Sequence, residues 1–156
     1  VLHHTDNCFE ALKHVFRYLV KPGGYAFVGL YHKYGRKPFL DFFDNLKKQG
    51  LNEDELFLKF SNLHDKTKDS VFLRSWFNDQ VLHPHESQHT LDELIPLIHE
   101  EGMVLVSTSI NKFAKIDSLE DLFTEEKQYF ELGLKKLEEN HYFPGFFFIM
   151  VQKREI

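Results

Sequence analysis

The 156-residue chain has one cysteine, Cys8, so no internal disulfide bond can stabilise its fold. This scarcity is typical of proteins that work in a reducing cytoplasm. Long hydrophobic runs are also absent: the longest, from Phe146 to Val151, is far shorter than the roughly 18 apolar residues that a membrane span needs. No signal-peptide pattern is visible at the N-terminus. We therefore expect a cytoplasmic protein with no membrane partner.

A concentration of positive charge is missing as well. The chain has 19 Lys and Arg residues against 24 Asp and Glu residues, a formal net charge of −5, and both signs are mixed along its length. Without a basic stripe that could bind a phosphate backbone, a nucleic-acid partner is disfavoured. Apolar residues make up 42% of the chain and include 17 Phe, which is enough to form a core and excludes a disordered chain.

The N-terminal part predicts a strand end, a helix, a tight turn and a buried strand. Residues 1–5 are typical of the end of a strand. Asn7 can cap a helix, with Glu10 placed three residues later as in a capping box. The Lys-Pro-Gly-Gly sequence at 21–24 ends this helix. The nearly continuous apolar run from Tyr25 to Tyr31 is typical of a strand buried on both faces of a parallel sheet.

The rest of the chain alternates helices with strands. The block from Pro38 to about Gln80 has helical periodicity and is too long for a simple connection, so we assign residues 37–80 to an inserted helical lid. Helices are predicted after Thr90 and over 118–140, and strands over 103–110 and 146–153. This alternation predicts an α/β sheet of about three strands, with one edge left exposed where strands before Val1 would belong.

Several segments resemble the class I S-adenosylmethionine-dependent methyltransferases. Residues 1–5, Val-Leu-His-His-Thr, resemble the segment that closes the fourth strand of many small-molecule methyltransferases. Residues 19–24, Leu-Val-Lys-Pro-Gly-Gly, resemble the turn before their fifth strand, and residues 29–32 stand where that strand reaches the active-site rim. Residues 76–90 contain Trp, Asp-Gln, His-Pro-His-Glu-Ser and His-Thr in that order. This pattern is similar to that of an uncharacterised bacterial branch of this family.

The resemblance implies the C-terminal part of a Rossmann-like sheet whose last strand is antiparallel, with a helical insertion. Residues 1–156 would then be a single partial domain that lacks the N-terminal cofactor-binding half. No G-x-G sequence occurs in the chain, so the glycine-rich turn that cradles the cofactor in this family cannot be placed. We expect a small-molecule methyltransferase that uses S-adenosyl-L-methionine, present as its substrate-side half and inactive alone.

The same resemblance implies roles for individual residues. Val1, Leu2 and His3 would line the cofactor pocket, and His4 would face the methyl acceptor as a general base, or else cap the helix or fill the core. His32 and His85 are further candidate catalytic groups. Arg36 could recognise an anionic substrate or belong to a solvated loop. The candidate substrate-binding residues are Tyr31, Tyr34, Arg36, Asp79, His83 and His89.

Two other hypotheses remain open. His83, His85 and His89, with Asp79 and Glu86 nearby, could bind a divalent metal ion and serve a metal-dependent hydrolase, although their spacing matches no zinc motif and we assign no metal ligand. They could equally form a substrate-facing polar loop or make structural hydrogen bonds. Alternatively the chain is a non-catalytic binding or scaffold remnant. A partner chain would then cover the exposed sheet edge, whereas the methyltransferase hypothesis expects the missing N-terminal half to cover it.

Overall fold

A computed structural model of the protein describes residues 1–83 and 85–155. Its sheet contains β1 (Tyr25–His32), β2 (Gln88–His89), β3 (Met103–Thr108) and β4 (Phe146–Lys153) in the order β2-β1-β4-β3. Strand β4 runs antiparallel to both β1 and β3, as predicted for the last strand. Strand β2 was not predicted, because two residues are too short for a periodicity. The α/β class is confirmed as an open four-stranded sheet with helices.

Strand β1 keeps one edge largely unpaired. Its only parallel neighbour within the described residues, β2, pairs with Tyr31 and His32 alone. Tyr25 and Phe27 are 59% and 61% exposed, so the expectation that this strand is buried on both faces is wrong for its N-terminal half. A groove of about 530 Å³ follows this edge. It is lined by Val1, Leu2, Val15, Leu19, Val20, Tyr25–Gly29, Phe146 and Phe148.

The helices begin where capping residues place them. Helix α1 (Cys8–His14) starts after Asn7, whose side chain accepts a hydrogen bond from the Glu10 amide, and continues as a π-helical turn over Val15–Leu19. The predicted capping box is incomplete, because the Glu10 carboxylate pairs with Lys13 instead. The other helices are α2 (Lys33–Lys48), α3 (Glu53–Ser61), α4 (Ser70–Phe77), α5 (Leu91–Glu100), α6 (Leu119–Lys127) and α7 (Tyr129–Glu138).

The opening segment is not the end of a strand. Leu2–His4 forms a 3₁₀ turn, in which the His4 amide donates to the Val1 carbonyl and the Thr5 amide donates to the Leu2 carbonyl. Within the described residues this backbone pairs with no strand of the sheet. The turn lifts His3 and His4 toward the carboxyl end of β1, and His3 contacts Tyr31 with ring centroids 4.4 Å apart.

Two apolar clusters hold the molecule together. One lies between the sheet and helices α1 and α5, around Leu12, Phe16, Leu94, Ile98 and Phe147. The other lies among helices α2, α3 and α4. Its buried residues are Phe39, Phe43, Leu56, Phe60, Leu63, Leu73, Phe77 and Val81. Helix α7 joins the two parts by packing closely on α2, where Gly133 leaves room for Pro38.

Trp76 packs against the second cluster from its rim and is half-buried. Within the described residues no helix combines the length and the apolar character that a bilayer crossing requires.

Candidate functional site

A cavity of about 620 Å³ opens beside the carboxyl end of β1. It is bounded by the Leu2–His4 turn, the last residues of β1, the end of α4 with the π-helical turn Asn78–Leu82 that follows it, and the segment leading into β4. Ligands of α/β sheets bind at this end of parallel strands, and the volume suits a small molecule. The lining residues are Val1, His3, His4, Tyr31, Trp76, Asp79, Gln80, Tyr142, Pro144, Phe146 and Phe148.

His4 is held in one orientation at the edge of this cavity. Its Nδ1 lies 2.9 Å from the carbonyl oxygen of His85, which can only accept, so Nδ1 carries the proton and donates it. Its Nε2 lies 3.1 Å from Asp79 Oδ1, a charge contact without the alignment of a hydrogen bond. In the neutral ring this Nε2 is therefore the atom that can take up a proton, and Asp79 stabilises the resulting charge.

Asp79 faces the cavity because of its place on the helix. Trp76, Asp79 and Gln80 stand at positions i, i+3 and i+4, which share one helical face. The second oxygen of Asp79 lies 3.4 Å from the Tyr31 hydroxyl. Burial raises the pKa of Tyr31 well above its usual range, so this hydroxyl stays neutral and can donate.

His3 lies deeper than His4, with 4% of its surface exposed. Its Nδ1 is buried and has no hydrogen-bonding partner within the described residues. Burial, followed by nearby positive charge, lowers the pKa of His3 to about 3. The ring is therefore neutral at physiological pH, and it lines the cavity with a buried nitrogen that has no partner among the described residues.

Arg36 is wholly buried behind the cavity rather than exposed in a solvated loop. Its Nε and Nη2 donate to the two oxygens of Glu86 at 3.3 and 3.0 Å. Its remaining donors reach the carbonyls of Gln80 at 2.9 Å and Pro144 at 3.2 Å. The guanidinium also lies 3.9 Å from the centroid of the Tyr31 ring. Arg36 thus fixes three segments of the cavity wall, and its charge is already matched by Glu86.

His32 lies outside the cavity, fully buried at the start of α2. Its Nδ1 accepts from the amides of Tyr34 and Gly35, at 3.2 and 3.3 Å, which leaves the proton on Nε2. That Nε2 donates to Glu126 Oε2 at 2.8 Å. Glu126 also accepts from the Leu91 amide at the start of α5. Both ring nitrogens are therefore used to join β1, α2, α5 and α6.

The remaining predicted residues are not brought together into one cluster. His85 donates from Nε2 to the Thr5 carbonyl at 2.9 Å, and His83 packs on His4 with ring centroids 4.0 Å apart. His89 is buried against Phe9 and lies 2.7 Å from the Ser87 hydroxyl. Pro84, in the same predicted loop, lies outside the described residues. In the part of the chain that is described, no three side chains could hold a metal ion, so a metal-dependent hydrolase is not supported.

The cavity is also lined by four residues to which the sequence had given no role in a site: Tyr142, Gln80, Phe146 and Phe148. The Tyr142 hydroxyl donates to Gln80 Oε1 at 2.7 Å. Tyr142 is 62 residues away from Gln80 in sequence, so no local pattern could have paired them. The nearby sequence feature that could have indicated a close backbone approach here is the Pro-Gly pair before β4. Gly145 has a φ of +72°, and a Cβ there would overlap the backbone of Arg36.

Comparison with known proteins adds a likeness of fold. No protein-family model matches the chain, and no curated protein matches it significantly. Among solved structures, it is similar to PKMT2 from Rickettsia typhi, a protein lysine methyltransferase, with a TM-score of 0.59 and 14% identity over 100% of this chain. The chain has a methyltransferase-like fold. It spans 35% of the length of that protein.

Proposed function

We propose that this chain is the substrate-side part of an S-adenosyl-L-methionine-dependent methyltransferase that acts on a small molecule. The observation that carries the proposal is the cavity at the carboxyl end of β1, with a His4–Asp79 pair at its edge, in a fold that is methyltransferase-like. Methyl transfer needs an aligned acceptor and a group that can take its proton, and it requires no metal ion or protein nucleophile.

The residues present fit one side of a cofactor site. Val1 borders both the cavity and the groove along β1, Leu2 borders the groove, and His3 offers a buried nitrogen without a partner. The sequence contains no glycine-rich turn, so the other side has to come from residues outside this chain. When bound, the cofactor would supply a methyl group activated by its sulfonium sulfur.

The chain's own residues would prepare the acceptor for methylation. His4 is fixed by its bond to the His85 carbonyl, and its buried Nε2 lies 3.1 Å from Asp79 Oδ1, so the acceptor's proton would reach it by way of Asp79. Asp79 would stabilise the imidazolium that forms. The aromatic walls of the cavity, with the half-buried Trp76 and Tyr142, would exclude water from the acceptor.

A non-catalytic binding module is the second candidate. The groove along the unpaired edge of β1, with Leu19 at 68% and Phe27 at 61% exposure, is what favours it. In that case another chain would cover the groove without supplying cofactor chemistry.

The two candidates differ in cofactor binding. We would titrate S-adenosylhomocysteine by calorimetry into this chain and into the product of the open reading frame that contains it. The methyltransferase proposal expects weak or no binding to this chain and measurable binding to the longer product. If neither protein binds the ligand, the proposal is wrong and the binding module is favoured.

A further inference from the structure

The cavity is lined by aromatic rings to an unusual degree. One wall holds Trp76 and Tyr142, whose rings are stacked with centroids 5.6 Å apart and planes inclined by 21°. The facing residues include Tyr31, which contacts His3, and Phe146, which meets Phe148 edge-on with centroids 5.1 Å apart. The faces of such rings carry negative electrostatic potential and attract organic cations.

The charged groups around the cavity also favour a cationic ligand. Asp79 is the only carboxylate among the described lining residues, and no Lys or Arg lines the cavity. Arg36, the nearest guanidinium behind the wall, is matched by Glu86, and His3 is neutral at physiological pH. The α-ammonium of Val1 is the one cationic group on a described lining residue, and none of these residues has a Lys or Arg side chain that could compensate the charge of an anionic ligand beside Asp79 and the ring faces.

We propose that the methyl acceptor is a small organic amine, bound as its ammonium form between the aromatic wall and Asp79. This inference rests on the proposed function and specifies its substrate class. A volume of about 620 Å³ accommodates an amine with a ring or an apolar body, and the phenylalanine side chains provide the matching surface.

An amine gives the His4–Asp79 pair a defined task. An ammonium nitrogen has no free electron pair, so it must lose a proton before it can accept a methyl group. The N–H bond breaks, its electron pair stays on the amine nitrogen, and Asp79, which lines the cavity, passes the proton to His4 Nε2. The imidazolium that results lies 3.1 Å from Asp79 Oδ1, which compensates its charge.

Trp76 allows binding to be measured without turnover. It is the only tryptophan of the chain and lines the cavity, so its fluorescence reports on this site alone. We would titrate the chain with three probes of similar shape: 2-phenylethylamine, 2-phenylethanol and 3-phenylpropionate. We expect the amine to bind about tenfold more tightly than the carboxylate, with the alcohol between them. Equal binding of amine and carboxylate would overturn the inference.

Two matched variants test whether the charge of Asp79 causes the preference for the amine. Asp79→Asn keeps the side-chain shape and removes the charge, so it should reduce the affinity for the amine and leave that for the alcohol unchanged. Asp41→Asn is the control, because Asp41 is exposed on α2 and pairs only with Lys37. An unchanged amine affinity in Asp79→Asn would contradict the proposal.

Two further measurements distinguish a free amine from a lysine side chain as the acceptor, and a failure of this inference from a failure of the proposed function. A lysine-containing peptide that binds where the free amines do not would replace the small amine with a protein acceptor. Binding of S-adenosylhomocysteine by the longer product, together with no amine preference, would overturn this inference and leave the proposed function standing. Absence of that binding would overturn the proposed function itself.

Discussion

At the scale of single residues, the site depends on which polar groups already have partners. From the sequence, Arg36 was expected either to recognise an anionic substrate or to belong to a solvated loop, yet it is buried and its hydrogen bonds go to protein atoms. His4 was predicted to face the acceptor, and it lines the cavity with its Nε2 buried beside Asp79. Its role as a base stays a prediction. The structural role of Arg36 was not predicted because a buried cation needs a counter-charge, and the sequence does not show that Glu86 lies beside it.

Replacing Arg36 tests whether this buried pair supports the fold. Arg36→Met should lower the free energy of unfolding by about 3–5 kcal/mol, because Glu86 and two carbonyls lose their donor in a buried site. Urea denaturation measures the change. Arg74→Met is the matched control: Arg74 is partly exposed and pairs with Glu53 and Asp54, so its loss should cost at most about 1 kcal/mol. Equal effects of the two substitutions would show that burial of the pair is unimportant.

The buried histidines make stability depend on pH. Burial lowers the pKa of His3 to about 3, against 6.5 in the unfolded chain, and it also lowers the pKa values of His64 and His89. The unfolded state therefore binds more protons between these values, and the free energy of unfolding falls as pH drops from 6.5 toward about 3. The denaturant midpoint should be lower at a pH between these two values than at a higher pH, and His3→Phe should make this difference smaller. A midpoint independent of pH would contradict the prediction.

At the scale of elements, one carboxylate joins several of them. Glu126 in α6 accepts from His32 Nε2 and from the amides of Leu91 and Asp92, which begin α5. Helix α5 thus starts with two capping groups: Thr90 in its own capping box and Glu126 from a distant helix. The local cap was predicted from the sequence, whereas the distant one was not, because 35 residues separate Glu126 from Leu91.

Glu126→Gln should destabilise the chain although it preserves the side-chain shape. The amide offers one acceptor oxygen in place of two, so at least one of the three donors, two of them buried, is left without a partner. We expect a loss of about 1.5–3 kcal/mol in the free energy of unfolding, the range for hydrogen bonds to a charged group. The exposed neighbour Glu125→Gln should change it by less than about 0.5 kcal/mol. A loss no greater than that of the neighbour would mean that Glu126 is not needed as an acceptor.

At the scale of the whole molecule, the order of elements was predictable and the assembly of the site was not. The run at Tyr25–Tyr31 and the final strand gave the positions of β1 and β4 because apolar periodicity is local. The turn at Leu2–His4 was misread as a strand end, since short apolar segments do not distinguish the two. The cavity joins four segments that are far apart in sequence, and their approach depends on contacts such as that of Tyr142 with Gln80.

The open edge of β1 has a consequence for the behaviour of the isolated chain. Exposed backbone donors and acceptors beside Leu19, Tyr25 and Phe27 form a surface that another strand can join. We expect the chain to self-associate as its concentration rises, with an average mass that sedimentation equilibrium can measure. Phe27→Lys should shift it toward the monomer, because a charge inside the groove opposes both burial and strand pairing.

A matched control separates this effect from a general gain in solubility. Leu58 on α3 is also 61% exposed but lies away from the groove, so Leu58→Lys adds the same charge without touching the edge of β1. If both substitutions reduce association equally, the charge alone is responsible and the edge is not the contact surface. If only Phe27→Lys does so, the unpaired edge of β1 is the surface through which copies of this chain associate.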